Sequence, residues 1–251
     1  MAPTVAVQSV RVSGTQLEGR SLRRVALLPG AIEGVETNYY ILGAGSRHAT
    51  QARPGKGQVL LFVAGAGEVR AGQRSYGFSE MAALRAPGSS PLVIESAAAP
   101  VEYLEILVDL RNQEAARLQG ADPFFVRYSE CEAYAEAIKS ARTVSRTIVP
   151  PETVPRFCMG SVEAVGPDEV GAHSHPMLEQ LFFGLPGNLC AVSADGAAVT
   201  LEERALLHVP LGSRHGARVE EGQRLHYVWM DFFRSEEDMT YIQEQHKPIE
   251  K

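Results

Sequence analysis

Short apolar runs punctuated by glycine and proline recur along the whole chain. They are rich in Val, Leu, Ile, Phe and Tyr, and most are too short to form a typical helix. In the first half the runs are Arg24–Leu28, Glu36–Leu42, Gln58–Val63, Pro91–Glu95 and Val101–Val108. In the second half they are Arg156–Val165, Leu181–Gly184, Leu189–Ser193, Ala205–Val209 and Leu225–Phe232. Many short strands with frequent turns are typical of a sandwich or barrel, so the pattern predicts an all-β fold.

Three stretches have a helical pattern instead. Asn112–Leu118 and Ser129–Lys139 are predicted to form a short helical linker, and Ser235–Gln245 a C-terminal helix. The last begins with Ser235-Glu-Glu-Asp238, which resembles a capping box with acidic residues in the first turn. The predicted organisation is a barrel over 1–110, a partly helical linker over 111–149, and a second barrel with the terminal helix over 150–251.

Composition excludes several classes of protein. The 251 residues are 45% hydrophobic and 22% charged, which is ordinary for a globular protein. The net charge is −6 and no Lys/Arg stripe occurs, so we expect no nucleic-acid partner. No apolar run reaches the roughly 18 residues of a membrane span, and the N-terminus lacks a signal-peptide layout. Three widely spaced cysteines do not suggest a disulfide framework, and the predicted location is cytoplasmic.

Four residues in the second half have the spacing of metal ligands. His173 and His175 are separated by one residue and therefore project from the same face of a strand. Glu179 follows four residues later, and His215 comes just after Pro210-Leu-Gly212, a turn that can bring the next strand back beside the first. Three imidazoles and one carboxylate form a typical ligand set for a first-row transition metal.

The two halves resemble each other. Residues 58–65 align with 179–187, and Pro87-Gly88 falls near Pro210-Leu-Gly212, with offsets of 121 (58 to 179) and 124 (88 to 212). This indicates an ancient duplication. The first-half counterparts of the ligands are Ala52, Pro54, Gln58 and Pro91. Because these are not a metal ligand set, the N-terminal barrel is predicted to be metal-free.

The motifs HxHxxxE and PxGxxH together resemble those of the cupin superfamily, and the whole chain resembles a bicupin. The first motif, G(x)5HxH(x)3-4E(x)6G, is matched at His173, His175 and Glu179, and the second at Pro210, Gly212 and His215. Val219 stands where the second motif ends in asparagine. The resemblance implies two cupin-type β-barrels (double-stranded β-helix, jelly-roll-like), with one metal in the C-terminal barrel. Cupins catalyse unrelated reactions, so the fold does not name the substrate.

The expected cofactor is one divalent transition metal, and the ligand set does not distinguish Mn, Fe, Ni, Co, Cu and Zn. A divalent ion with one glutamate carries a local charge of about +1, which favours a small, oxygen-rich, partly anionic substrate. Three functions remain open. A metal-dependent isomerase, lyase or hydrolase using Lewis-acid chemistry is favoured, because aromatic content is only 7%. A cupin-type dioxygenase and a non-catalytic metal-binding or ligand-binding cupin are the alternatives; a homodimer is the assembly considered.

Supporting residues are predicted on the last strand. Tyr227 and Asp231 share one face, and His226 lies on the other, so a general acid or base comes from whichever face lines the cavity. Arg214, next to His215, is a candidate clamp for a substrate carboxylate. Cys158 has no histidine partner in its own segment and is interpreted as a buried thiol.

Overall fold

The computed structural model of the protein describes residues 5–9, 21–87 and 91–245. The strands of the first half are β1 (Ala6–Ser9), β2 (Leu22–Leu27), β3 (Val35–Leu42), β4 (Arg47–Ala49), β5 (Lys56–Ala64), β6 (Gly67–Ala71), β7 (Arg74–Phe78), β8 (Ala82–Pro87), β9 (Leu92–Ser96), β10 (Val101–Asp109) and β11 (Phe124–Arg127). Those of the second half are β12 (Ala133–Tyr134), β13 (Val144–Val154), β14 (Phe157–Val165), β15 (Asp168–His173), β16 (Leu178–Gly184), β17 (Leu189–Ala194), β18 (Ala197–Glu202), β19 (Ala205–Val209), β20 (His215–Val219) and β21 (Arg224–Phe233). The α-helices are α1 (Asn112–Gln119) and α2 (Glu236–Gln245). The predicted all-β architecture is confirmed, and no helix of the described part is long and apolar enough to cross a membrane.

The chain divides into two compact units. The first unit contains the described residues of 21–130 together with 153–155, and its sheets have the strand orders β11-β8-β5-β10-β3-β2 and β4-β9-β6-β7. The second unit contains 5–9, 131–152 and 156–245, with the strand orders β1-β19-β16-β21-β14-β13-β12 and β15-β20-β17-β18. Each unit therefore has one larger and one four-stranded antiparallel sheet.

The unit boundaries differ from those predicted. Strand β1 pairs with β19 of the second unit, with Ala6 opposite His208, so 1–110 does not form one body. The predicted linker 111–149 is divided: α1 and β11 belong to the first unit, and β12 and the start of β13 to the second. Strand pairing between residues far apart in sequence decides these boundaries. A local sequence pattern does not predict such pairing.

Helix α1 and helix α2 confirm two of the three helical predictions. The box at the start of α2 is present: the Asp238 N–H donates to Ser235 Oγ at 3.2 Å, and the Ser235 N–H donates to Asp238 Oδ2 at 3.0 Å. The predicted helix over Ser129–Lys139 is wrong. A 3-10 turn spans Tyr128–Glu130 and strand β12 follows, because Ala133 and Tyr134 form backbone pairs with β13.

Burial along two strands shows how the second unit is layered. In β17 the residues alternate between exposed and buried, as expected for a strand with one face in water. In β16 every residue except Glu179 is buried. Lys139, which precedes β13 in the chain, is held beside β15 by a backbone bridge to Val170. The apolar core between the two sheets includes Phe182, Val192, Leu207 and Tyr227.

Candidate metal centre

The three histidines of the motif come together around two neighbouring strands: His173 and His215 lie on β15 and β20, and His175 lies in the connection between β15 and β16. His173 ends β15 and lies directly opposite His215, which begins β20. The register shifts between Val170 and His173, an irregularity that reorients the end of the strand. The ring centroids are 4.5 Å apart for His173 and His215, and 4.8 Å for His173 and His175. One nitrogen of each of these three rings lies within 4.8 Å of the others.

The turn before His215 is fixed by backbone contacts on both sides. Gly212 has a φ of +71°, which glycine adopts without steric cost, and its N–H donates to the His175 carbonyl at 3.2 Å. The Asp195 carboxylate accepts the Arg214 N–H at 2.9 Å and a hydrogen bond from the hydroxyl of Ser213. The Pro-x-Gly turn thus brings His215 beside the His173 strand, as the sequence predicts.

The outer nitrogens of two rings are held by backbone carbonyls. His173 Nδ1 lies 2.8 Å from the Gly171 carbonyl, and His215 Nδ1 lies 3.0 Å from the Ser213 carbonyl. A carbonyl only accepts, so in each ring Nδ1 carries a hydrogen. Burial lowers the pKa of His215 to about 4, and that ring is neutral at neutral pH. In this neutral ring Nε2 keeps a lone pair that can bind a metal.

Glu179 is not brought to the three imidazoles. Its carboxylate lies 2.9 Å from His208 Nε2, and it does not line the cavity that holds the three rings. The next residue, Gln180, does line that cavity, because successive side chains of β16 point to opposite faces of the sheet. Gln180 Nε2 donates to Asp231 Oδ1 at 2.8 Å. Since a carboxylate only accepts, this bond fixes the amide nitrogen toward Asp231 and leaves the amide oxygen directed elsewhere.

Two buried atoms of the site have no hydrogen-bond partner in the described structure: His215 Nε2 and Gln180 Oε1. Burying an acceptor without a partner costs free energy, so a ligand that binds these two atoms would remove that cost. Imidazole nitrogen and amide oxygen both bind divalent transition metals. The residues present therefore fit a metal held by the three imidazoles and Gln180. The cupin motif also allows four residues before its acidic position, and that spacing falls on Gln180.

The three histidines lie in a cavity of about 530 Å³ within the second unit. One face of three adjacent strands forms its wall, where Cys158 and Gln180 both lie opposite Asp231 in the strand register. Tyr227 and Asp231 line the cavity, which decides between the two faces of β21. Burial raises the pKa of the Tyr227 phenol, so that it keeps its proton at neutral pH. Cys158 is a buried free thiol whose pKa burial raises.

The other two predicted catalytic residues do not line the cavity. His226 projects from the opposite face of β21, with Nε2 4.0 Å from Glu163 Oε2, and burial lowers its pKa to about 4. Arg214 is exposed, and its backbone N–H rather than its guanidinium makes the recorded contact with Asp195. Strand alternation places His226 on the face of β21 opposite Tyr227 and Asp231, and the geometry of the turn leaves Arg214 exposed.

Sequence reasoning missed the part of the wall that precedes the barrel strands. Tyr134, Glu136 and Lys139 line the cavity, although they belong to the segment predicted as a linker helix. No local pattern marks them, because backbone pairing with β13 and β15 places them there. For Gln180, the four-residue spacing of the cupin motif could have indicated the position.

In the first unit the aligned positions do not form a comparable cluster. Ala52, Pro54 and Pro91 are exposed. Gln58 is buried, and its Nε2 donates to Glu105 Oε1 at 2.9 Å. Among the described residues, the group of three or more His, Cys, Asp or Glu side chains able to hold a metal is the one formed by the second-unit histidines.

No protein-family model matches the sequence, and no curated protein matches it. Solved structures do match. The Ylba protein of E. coli aligns with a TM-score of 0.69 at 12% identity, over 91% of this chain and 90% of its own. A cupin 2 conserved barrel domain protein from Leptotrichia buccalis aligns at 0.57 and 12%, over 86% and 90%. Oxalate decarboxylase from Lactobacillus farciminis, in a formate complex, aligns at 0.65 and 11%, over 84% and 81%. At these identities the likeness establishes the cupin fold.

Proposed function

We propose that this cupin-fold protein is a bicupin metalloenzyme with a single metal site, located in the second unit. His173, His175 and His215 are the proposed nitrogen ligands, and Gln180 Oε1 replaces Glu179 as the proposed oxygen ligand. The proposed substrate is small and oxygen-rich, with a hydroxy-carbonyl or carboxylate group. The proposed reaction is that of an isomerase, a lyase or a hydrolase.

One observation supports this proposal: three imidazoles converge in a cavity where the buried His215 Nε2 has no hydrogen-bond partner among the described residues. A cluster of polar side chains without a ligand would leave that nitrogen buried and unsatisfied, at a cost of about 1–3 kcal/mol. Structural metal sites usually fill all positions with protein groups, often cysteines. Here the cluster opens onto a cavity of about 530 Å³, large enough for a small molecule.

The bound metal would supply a Lewis acid for a carbonyl or carboxylate oxygen. With the uncharged Gln180 as the oxygen ligand instead of Glu179, the four protein ligands carry no net charge. A divalent metal held by them would therefore attract an anionic chelating group more strongly than a metal bound by a glutamate. The protein's own groups then orient the substrate. Tyr227 keeps its phenolic hydrogen and can donate it to a substrate oxygen, while Asp231 holds the Gln180 amide in place.

Metal content tests the proposal directly. Wild-type protein and the variant His226→Gln, whose ring lies on the other face of β21, should each bind one equivalent of Mn²⁺ or Zn²⁺ per chain. The variant His175→Ala should bind much less than one equivalent under the same conditions. If His175→Ala binds a full equivalent of metal, with unchanged distances between the metal and its remaining ligands, His175 is not a ligand.

The reaction class is tested by the need for oxygen. A screen of hydroxy-carbonyl and hydroxy-acid compounds with metal-loaded protein should reveal turnover that continues under anaerobic conditions. Stoichiometric consumption of oxygen with substrate would instead identify the cupin-type dioxygenase. Binding without turnover across the screen would favour the non-catalytic ligand-binding protein.

A further inference from the structure

A segment of the second unit that precedes β13 forms one wall of the cavity. This segment, residues 131–139, is called the strap below. Ala133 and Tyr134 pair with β13 in the larger sheet, whereas Lys139 forms a backbone bridge with Val170 of β15 in the smaller sheet. The Gly171 N–H donates to the Ile138 carbonyl at 2.8 Å. The strap is therefore hydrogen-bonded to both sheets of the second unit, and its side chains are held at fixed positions over the cavity.

The strap carries a buried ammonium group. Lys139 Nζ forms an ion pair with Glu136 and donates to Ser145 Oγ at 2.8 Å. The two charged side chains are only 8% and 11% exposed, and both line the cavity. An ammonium has three donors, and these two contacts use two of them. The ammonium also lies 6.0 Å from the centroid of the Tyr134 ring, and its third N–H can donate to a molecule in the cavity that Lys139 lines.

Removing an ammonium from water is costly, and an ion pair repays that cost only when its geometry is good. Burial lowers the pKa of Lys139 to about 8, while the charge of Asp231 opposes the shift. An apolar residue of similar length could close the cavity without that cost. The retained charge therefore points to recognition of a ligand, which packing alone does not require.

The charges around the cavity indicate what kind of group Lys139 meets. Lys139 is the one Lys or Arg among the residues that line it, whereas three carboxylates line it: Glu132, Glu136 and Asp231. A second anionic group of the substrate beside Lys139 would be repelled by these carboxylates, because Glu136 already neutralises the charge of the ammonium. An uncharged hydroxyl or carbonyl oxygen meets no such repulsion and can accept the remaining N–H.

We propose that Lys139 binds an uncharged oxygen of the substrate that does not belong to the group chelating the metal. This inference rests on the proposed metal site, and it narrows the substrate class to a hydroxy acid or keto acid that carries a further hydroxyl or carbonyl. Glu136 and Ser145 act as positioning residues, because they hold the ammonium in place.

The test uses full-length, Mn²⁺-loaded protein and matched pairs of acids that share a 2-hydroxycarboxylate end. Glycerate is compared with lactate, and threonate with 2-hydroxybutyrate, by titration calorimetry. A hydrogen bond from an ammonium to an otherwise buried oxygen corresponds to about tenfold or more in affinity. The hydroxylated member of at least one pair should bind wild type about tenfold more tightly than its deoxy partner.

The variant Lys139→Met should reduce that ratio to less than about threefold, while the affinity for lactate stays unchanged. The control Lys56→Met, which alters a lysine of the first unit paired with Glu36 and Asp109, should keep the wild-type ratio. A ratio near one in wild type, or a wild-type ratio in Lys139→Met, overturns the assignment of Lys139.

A second measurement needs no variant. Mass spectrometry of wild-type protein treated with acetic anhydride should show Lys139 protected by the hydroxylated acids and unprotected by their deoxy partners; equal labelling with both overturns the proposal. The metal content of every sample separates the two hypotheses. Wild type without bound metal contradicts the proposed function, whereas normal metal binding with an unchanged ratio in Lys139→Met contradicts only the role of Lys139.

Discussion

Adjacent residues on opposite faces of β16 provide the sharpest test of the metal site. Glu179 matches the sequence motif, but its carboxylate contacts His208 at 2.9 Å, whereas Gln180 lines the cavity with an unpartnered Oε1. We compare the variants Glu179→Gln and Gln180→Leu. If Gln180 is the fourth ligand, only its replacement weakens metal binding.

The expected magnitudes follow from these contacts. Gln180→Leu removes one neutral donor but leaves three imidazoles, so we expect about 10–100-fold weaker binding of Zn²⁺, or about 1.4–2.8 kcal/mol. Glu179→Gln removes a partly exposed pair with His208, whose side chains are 28% and 10% exposed. That change should cost at most about 1 kcal/mol of stability and alter metal affinity less than about twofold.

Competition between the protein and a chromophoric chelator for Zn²⁺ at a fixed pH measures these affinities. Urea denaturation of the metal-free variants separates a lost ligand from a damaged fold. An affinity loss in Glu179→Gln equal to or larger than that in Gln180→Leu would refute the reasoning and restore the carboxylate as the ligand.

Three further predictions concern stability and the first unit. Gly160→Ala should lower the free energy of unfolding in urea by about 1–3 kcal/mol, because a Cβ there would lie 2.2 Å from Trp229, whereas Gly77→Ala, with open space around it, should be neutral or slightly stabilising. Burial keeps the pKa of His226 at about 4, below its unfolded value, so the folded state binds fewer protons and stability should fall as pH decreases from about 6.5 to 4. Thermal unfolding across that range should show a weaker pH dependence in His226→Gln, and an unchanged slope would contradict the assignment. His48→Ala in the first unit should retain a full equivalent of metal, and metal analysis showing its loss would place the site elsewhere.

The sequence by itself determined the fold class and the three histidines. Alternating and fully apolar runs specify strands because side chains of a strand alternate between two faces. His173 ends β15 and His175 lies just beyond it, and their ring centroids are 4.8 Å apart. The turn at Gly212 was also predicted from the sequence, because glycine adopts a positive φ at a lower steric cost than other residues. These are local properties, fixed by neighbours within a few residues.

The tertiary structure decided which side chains reach the cavity. The spacing of the sequence motif allows position 179 or position 180, and the pairing of β16 with β21 sets Gln180 opposite Asp231 on the side that lines the cavity. A shift of register by one residue moves every side chain to the other face, so spacing alone does not determine the ligand. Lys139 reaches the cavity through backbone pairing of its segment with strands far along the chain. Such pairing depends on contacts between distant residues, which a local pattern does not encode.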